Sequence, residues 1–228
     1  MTRLPFRILT LRTLFTSFLS LVLSACATEM NTLNSKEAAD GWQLLFDGRS
    51  FDGWRASDAP GTFSLKDGAI VVRGKRSHLF YVGSVENHDF KNFELKVDVL
   101  TFPKANSGVY FHTEWQAVGW PDRGYEVQVN NSHSDTSRSG GLWGIRDYTP
   151  VVVPDGQWFT LTIRVEGKHV TTLIDGKLIV DYTEEPNPPR DKDLAHRLIG
   201  SGTFALQGHD PGSEVHYRNI KVRKLPQG

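Results

Sequence analysis

The chain is short of the features that mark most function classes. A single cysteine, Cys26, stands in 228 residues, so no internal disulfide can form. Basic and acidic residues balance at 26 each, for a formal net charge of +0. No basic patch of the kind a nucleic-acid surface needs is visible, and no long run of either charge sign occurs. Neither a GxGxxG nor a Walker-type loop is present, which argues against a nucleotide cofactor. No long amphipathic helix pattern follows the N-terminal segment. The apolar stretch Leu14 to Leu23, broken by Thr16, Ser17 and Ser20, is too short to read as a membrane span. What remains is room for one sizeable domain, since all-β domains of roughly 200–250 residues are common.

The apolar stretch reads instead as part of a secretory signal over residues 1–25. Arg3, Arg7 and Arg12 form a positive leading region with no acidic residue. The signal ends in Leu23-Ser24-Ala25-Cys26, which resembles the lipobox of bacterial lipoproteins, where cleavage precedes the cysteine and its thiol is lipidated. A lone free thiol is unusual in an exported chain, and lipidation of Cys26 uses it up. Ala27, not Asp, follows the cysteine. By resemblance to lipoprotein sorting in Gram-negative bacteria, this implies the outer membrane, facing the periplasm. The expected organisation is a signal over 1–25, a lipidated tether over 26–40 and a single β-sandwich domain over 41–228, held to the membrane only through its lipid.

Beyond the tether the chain alternates short apolar runs with turn residues. A turn of helix is expected at Glu37 to Asp40, and a first strand at Gln43 to Phe46. Thr62 to Leu65 and Ala69 to Arg73 flank Lys66-Asp67-Gly68, a hairpin signal. Phe93, Leu95, Val97 and Val99 alternate with Glu94, Lys96 and Asp98, and Phe159 to Glu166 alternates in the same way. Two Gly-containing turns after Glu166 and Ile174 link three strands into a meander. Glu184 to Arg197, with three prolines, reads as an irregular excursion with one helical turn. Many short strands at regular spacing indicate an all-β sandwich or barrel. In the last strand, Val215 and Tyr217 share one face while Ile220 and Val222 fall on the other. Either both faces are buried there or a β-bulge near Arg218-Asn219 re-phases the strand.

The centre of the reading is Gly108 to Asn130. Side chains alternate across a strand, so Val109 and Phe111 point one way and Tyr110, His112 and Glu114 the other. In the next strand Tyr125, Val127 and Val129 oppose Glu126, Gln128 and Asn130. If the apolar sets face the core, the second face carries His, Glu, Gln and Asn side by side. With Trp115, Trp120 and Trp143 nearby, that row suggests a polar cleft with aromatic walls. Gln207 and His209 in Leu-Gln-Gly-His lie together on a later strand. His78, His88, His169 and His196 have no motif support and are expected at the surface.

Ordered segments now carry a family resemblance: Trp42 to Trp54, Phe93 to Asp98, Asn106-Ser107-Gly108-Val109-Tyr110-Phe111, Gly124 to Asn130 and Phe204 to Leu225. Together they resemble the bacterial 3-keto-disaccharide hydrolase or 3-keto-glucoside-1,2-lyase/3-keto-2-hydroxy-glucal hydratase family. The resemblance implies a concanavalin- or laminin-G-like jelly-roll β-sandwich that cleaves 3-keto-glycosides. The chemistry requires a base near C2, an acid for the leaving group and an electrophile at the C3 oxygen, a role a divalent metal could fill. His112, Glu126 and His209 are the catalytic candidates, with Glu114, His112 and Glu126 as a candidate metal set. Asn106, Tyr110, Gln128, His133, Trp143, Gln207 and Arg218 are the candidate substrate contacts. A separate sugar 3-oxidoreductase would have to make the substrate. The chain departs from the family pattern at His112 to Glu114 and at Asn130-Asn131. A non-catalytic glycan-binding module on the same sandwich is the competing reading, since jelly rolls host both roles. A retaining glycosidase would need two carboxylates about 5–5.5 Å apart, and Glu94/Asp98 is the weak match.

If Cys26 is the lipidation site, Cys26→Ser should move the chain from the membrane fraction to the soluble envelope fraction and abolish labelling by a radioactive fatty acid. A Cys26→Ser protein that is still labelled would contradict the lipobox reading.

Overall fold

The computed structural model describes Met1 and residues 30–226; the signal segment and Cys26 lie outside the described residues. Thirteen strands are present among the described residues. They are β1 (Trp42–Leu44), β2 (Trp54–Ala56), β3 (Phe63–Lys66), β4 (Ala69–Arg73), β5 (Ser77–Tyr81), β6 (Phe93–Thr101), β7 (Ser107–Thr113), β8 (Tyr125–Val129), β9 (Trp158–Glu166), β10 (His169–Ile174), β11 (Lys177–Thr183), β12 (Thr203–Gly208) and β13 (Glu214–Lys224). They form two antiparallel sheets. One runs β11-β10-β9-β6-β13-β4-β3, with β1 also paired to β13; the other runs β2-β5-β12-β7-β8.

The two sheets differ in how they are buried. In the larger sheet the sequence alternation is obeyed: Phe159, Leu161, Ile163 and Val165 of β9 are buried, while Thr160, Thr162 and Arg164 are partly open. This is the pattern of a sheet with one face on a core and one on solvent. In the smaller sheet every residue of β5, β7, β8 and β12 is buried. Its inner face, with Val109, Phe111, Val127, Phe204 and Leu206, packs into the shared core. Its outer face is covered as well, by loops rather than by a second sheet. A small cluster of Phe80, Tyr110 and Ala205, with Trp115 and Val82 packed on it, lies on that outer side.

The tether expectation is corrected at its C-terminal end. Asn31 is buried, its side chain donates to the Gly68 carbonyl, and its backbone N–H donates to Asn219. A short helix, α1 (Ser35–Ala39), follows, closed by a capping box between Asn34 and Glu37. The domain therefore begins about ten residues before Trp42, because a polar side chain there completes a bulge on the far side of the fold.

That bulge resolves the parity problem of the last strand. Arg218 pairs with Asp98 and Lys221 with Lys96, so β13 carries one extra residue against β6. Asn219 takes the left-handed conformation, with φ of 51°. Its side chain donates to Asp98 at 2.6 Å, and its N–H donates to Asn31 at 2.8 Å. Asn tolerates this backbone better than most residues, and its amide ties three elements together. The excursion after Glu184 is irregular as expected, with one 3-10 turn at Lys192–Leu194.

Asn219→Ala should cost about 1–3 kcal/mol in denaturant unfolding, from lost hydrogen bonds and a strained φ. Asn219→Gly, which relieves the strain alone, should recover part of that loss. Equal stability of Asn219→Ala and the native chain would contradict this assignment.

Candidate active site

The polar row read from the sequence lies on the covered outer face of the smaller sheet. Register places Tyr110 of β7 opposite Glu126 of β8, and Gly108 opposite Gln128. On the other side of β7, Ala205 of β12 faces Tyr110, and Gln207 is two residues further along, opposite His78 of β5. These side chains floor a cavity of about 370 Å³ that reaches His209 and Trp120 and includes Trp143 and Arg197 in its walls. Gly108 is required here by close approach. A Cβ at that position would sit 2.8 Å from the Glu126 Cγ, so the turn residue of Asn106-Ser107-Gly108 also makes room for the acid.

Glu126 is the buried centre of the floor. Its Oε2 accepts a hydrogen bond from the Tyr110 hydroxyl at 2.6 Å, and its Oε1 accepts one from the Gln207 amide at 2.7 Å. The same Gln207 amide donates to the Tyr110 oxygen at 3.1 Å. Burial pushes the Glu126 carboxyl above its ordinary range, while these donors and the Arg197 charge pull the other way without cancelling it. Burial first, and then the Glu126 charge, hold the Tyr110 phenol well above its ordinary value, so its proton stays in the hydrogen bond. Gln128 donates to Asn106 at 2.9 Å, and the Asn106 amide lies 3.4 Å from His133 Nδ1. The Asp135 N–H donates to that same nitrogen, so the His133 proton sits on Nε2.

A second unit stands at the edge of the cavity. His209 Nδ1 and Asp210 Oδ2 are 2.8 Å apart. Asp210 also accepts from the Ser213 hydroxyl and, through its other oxygen, from the Gly212 N–H, each at 2.7 Å. Burial opposes ionisation of Asp210, but the bonds from His209, Ser213 and Gly212 outweigh it and hold its carboxyl below the usual range. The pair therefore fixes the His209 ring with Nε2 as the nitrogen left for a reacting group. Trp120 lies 5.5 Å from His209, centroid to centroid, and is 43% exposed, which makes it an aromatic rim. Trp143, also partly exposed, donates to Asp135 at 3.4 Å on the opposite rim.

Three expectations are corrected. His112 does not share the face of Tyr110. Between Tyr110 and Thr113, β7 carries one extra residue against β12, and His112 has φ of 56°. The bulge turns the ring into the sandwich, against Phe93 and Phe111. The Gly200 N–H donates to its Nδ1, and its Nε2 donates to the Lys91 carbonyl at 3.0 Å. Burial lowers its pKa to about 4, so it is a neutral structural histidine. Glu114 is exposed and pairs with Arg123 at 3.2 Å. His112, Glu114 and Glu126 thus do not converge, and no group of three or more His, Cys, Asp or Glu able to hold a metal occurs among the described residues. The donor set does not fit the expected metal. Arg218 lies on the larger sheet, stacked 3.9 Å over Trp158 and 3.7 Å from Asp98, and takes no part in the cavity.

Two residues escaped the sequence reading. His78 is fully buried beneath the cavity, edge-on to Tyr110 and Trp120, where burial lowers its pKa to about 3. Its expected surface position fails because the outer sheet face is roofed. Arg197 comes from the proline-rich excursion and has no motif around it. Asn106, Tyr110, Glu126, Gln128, Trp143, Gln207 and His209 all line the cavity, with His133 bonded behind them.

Residues 41–223 match the family described as the 3-keto-alpha-glucoside-1,2-lyase-like domain. A 3-keto-disaccharide hydrolase from Bacteroides thetaiotaomicron is 26% identical over 246 residues, covering 87% of this chain and 83% of that protein. A crystal structure from Parabacteroides distasonis, of a protein carrying a provisional glycosyl hydrolase name, superposes with a TM-score of 0.72 at 22% identity, covering 87% of this chain and 100% of that one. A carbohydrate-binding module, CBM66 from Bacillus subtilis, gives a TM-score of 0.54 at 15% identity over 75% of this chain and 96% of the module. Likeness at that level speaks to fold, and the fold is a jelly-roll β-sandwich.

The raised Glu126 carboxyl has a consequence for stability. Its folded pKa lies above its unfolded one, so folding favours the protonated form. The penalty is absent below the ordinary carboxylate range and grows as pH rises through the folded value. Glu126→Gln should therefore melt at a higher Tm than the native chain at pH 7, with the gap closing in acid. A gap that does not change with pH would contradict the assignment.

Proposed function

The chain belongs to the 3-keto-alpha-glucoside-1,2-lyase-like family, and from that premise we propose that it is a carbohydrate-active enzyme opening 3-keto-glycosides by C2 proton abstraction and β-elimination, followed by hydration of the product. The observation that carries the reading is Glu126: a buried carboxylate, raised in pKa, at the floor of a cavity with aromatic rims. A raised carboxylate is a stronger base than an exposed one, which suits removal of a proton already acidified by an adjacent ketone.

In the proposed reaction a Glu126 oxygen takes the C2 proton. The C2–H electron pair becomes a C2–C3 double bond, and the carbonyl pair moves onto the C3 oxygen. When the enolate collapses, a C1–C2 double bond forms and the C1–O bond breaks, its electrons leaving on the glycosidic oxygen. His209, oriented by Asp210, delivers the proton that this oxygen needs. Water then adds its hydroxyl to C1 and its proton to C2, releasing the free 3-keto sugar, and the proton held by Glu126 passes through solvent to His209, which restores both groups. No oxidant is consumed, so an oxidoreductase acting on the sugar at C3 must come first. Tyr110 and Gln207 aim the base, while Asn106 and Gln128 offer amide groups to sugar hydroxyls. Trp120 and Trp143 give the apolar sugar faces something to lie on. On the Cys26 reading, the reaction would run on the periplasmic side of the outer membrane.

The carboxylates of the glycosidase alternative are engaged elsewhere. Glu94 is held by Arg164 at 3.0 Å and by Arg223 at 2.7 Å, and Asp98 bonds Thr160 and Asn219. A sugar-binding module would have no use for a buried ionisable floor, which costs stability.

The test is release of free sugar from a 3-keto-disaccharide and from its unoxidised parent, each with and without a chelator. Release should occur from the keto compound alone and survive chelation. Glu126→Gln should lower turnover by roughly 10²–10⁴-fold, and His209→Asn should cut aglycone release more than C2 hydrogen exchange. Release from the parent would indicate a conventional glycosidase, and binding without release a glycan-binding module.

A further inference from the structure

We propose that Arg197 is the catalytic residue that holds the C3 oxygen and stabilises its enolate charge, a role that rests on the elimination reading above. The guanidinium lies in the cavity wall, 5.1 Å from the centroid of the Tyr110 ring, in a residue only 6% exposed. Its single hydrogen bond among the described residues is a long one, from Nη1 to the Gly124 carbonyl at 3.4 Å. No carboxylate lies within ion-pair distance of it among those residues.

Three other arginines are well paired by contrast. Arg190 reaches the hydroxyls of Tyr125 and Tyr182, at 2.8 and 2.9 Å, and stands 3.8 Å from Glu184. Arg164 and Arg223 share Glu94. A buried guanidinium with one loose partner is costly unless a ligand completes its hydrogen bonding. Its planar fork of N–H donors suits an oxygen bearing negative charge.

The surrounding backbone holds Arg197 in place. Its N–H donates to the Leu194 carbonyl at 2.9 Å, and its carbonyl accepts from Arg190 Nε at 3.0 Å. The next turn is fixed by the Ile199 N–H on buried Glu184, at 2.8 Å, with Lys168 on the other Glu184 oxygen at 2.6 Å. Glu184 also accepts from the Tyr125 hydroxyl, tying the excursion to β8. The charge is thus held on the β8 side of the floor.

The charge arithmetic of the step fits this position. Before reaction the negative charge is on Glu126, and the Arg197 field favours that ionised form. As Glu126 takes the C2 proton it becomes neutral, and the negative charge appears on the C3 oxygen. One fixed cation serves both states of the base. Such preorganised charge acts on the transition state more than on substrate binding. No redox partner is needed, and every electron pair stays within substrate and base.

The experiment uses the intact protein with a 3-keto-disaccharide, reading kcat, KM and exchange of the C2 hydrogen with solvent deuterium. Arg197→Met should lower kcat and C2 exchange by roughly 10²–10³-fold, with a smaller change in KM. Arg197→Lys should retain part of the exchange, and added guanidinium ion should restore part of it in Arg197→Ala. Far-UV circular dichroism and the Tm of each variant, set against the native chain, report on folding. An Arg197→Met protein that keeps kcat, or loses only KM, would overturn the proposal while leaving the elimination intact. An Arg197→Ala protein that folds normally but gains no exchange from guanidinium would overturn it as well. A native protein that promotes no C2 exchange would overturn the elimination, and the proposal with it.

Discussion

A carboxylate placed on the outer face of a sheet and then covered over is the constraint on which the rest of this molecule depends. Glu126 could lie at an open sheet face at little cost. Here it is roofed, and its ionised form must be satisfied from within the protein. That requirement accounts for Tyr110 and Gln207, whose donors reach both carboxylate oxygens. It accounts for Gly108, the residue whose missing side chain leaves the space. It also accounts for a roof built from three connections rather than from secondary structure. Loops can bring Trp120, Trp143 and Arg197 over the floor from different directions, whereas a helix or a third sheet would close it.

The roof must itself be fixed, and buried Glu184 does much of that. It collects Lys168, the Tyr125 hydroxyl and the Ile199 N–H on one carboxylate, joining the meander, β8 and the proline-rich excursion. Burial works against its ionisation, but these donors outweigh burial and lower its pKa. The contrast with Glu126 is instructive. Both are buried glutamates. One is saturated by charged and backbone donors and serves as an anchor, whereas the other is supported by neutral donors and left basic. Environment rather than residue type separates the structural acid from the proposed base.

The fold was largely legible because its strands obey period two where one face meets solvent. β6 and β9 could be read residue by residue, and the misphasing of the last strand left a bulge near Arg218-Asn219 as one of two readings. The site was legible where strand parity held, at Tyr110, Glu126, Gln128 and Gln207. It failed at His112 because a single left-handed residue inserts a bulge and reverses every parity argument beyond it, and with that the expected metal set dissolved. Sequence periodicity carries no signal for such a residue when it is not glycine or asparagine. Arg218 was misplaced for a different reason: its strand belongs to the sheet opposite the cavity. Arg197 and His78 depend on which loops cover which face, a tertiary fact with no local pattern. The same jelly roll serves carbohydrate-binding modules, so the reading of this chain as an enzyme rests on its buried ionisable floor and not on its architecture.

The most direct single measurement is made in deuterium oxide. The native protein is given a 3-keto-disaccharide, and C2 of the released 3-keto sugar is examined by NMR against the same sugar incubated without protein. Elimination followed by hydration requires the original C2 hydrogen to be lost and one solvent deuterium to be gained, so enzyme-dependent deuterium at C2 is the expected result. Release of a sugar that keeps its original C2 hydrogen would mean that the glycosidic bond is hydrolysed directly. The central role given to Glu126 would then be wrong.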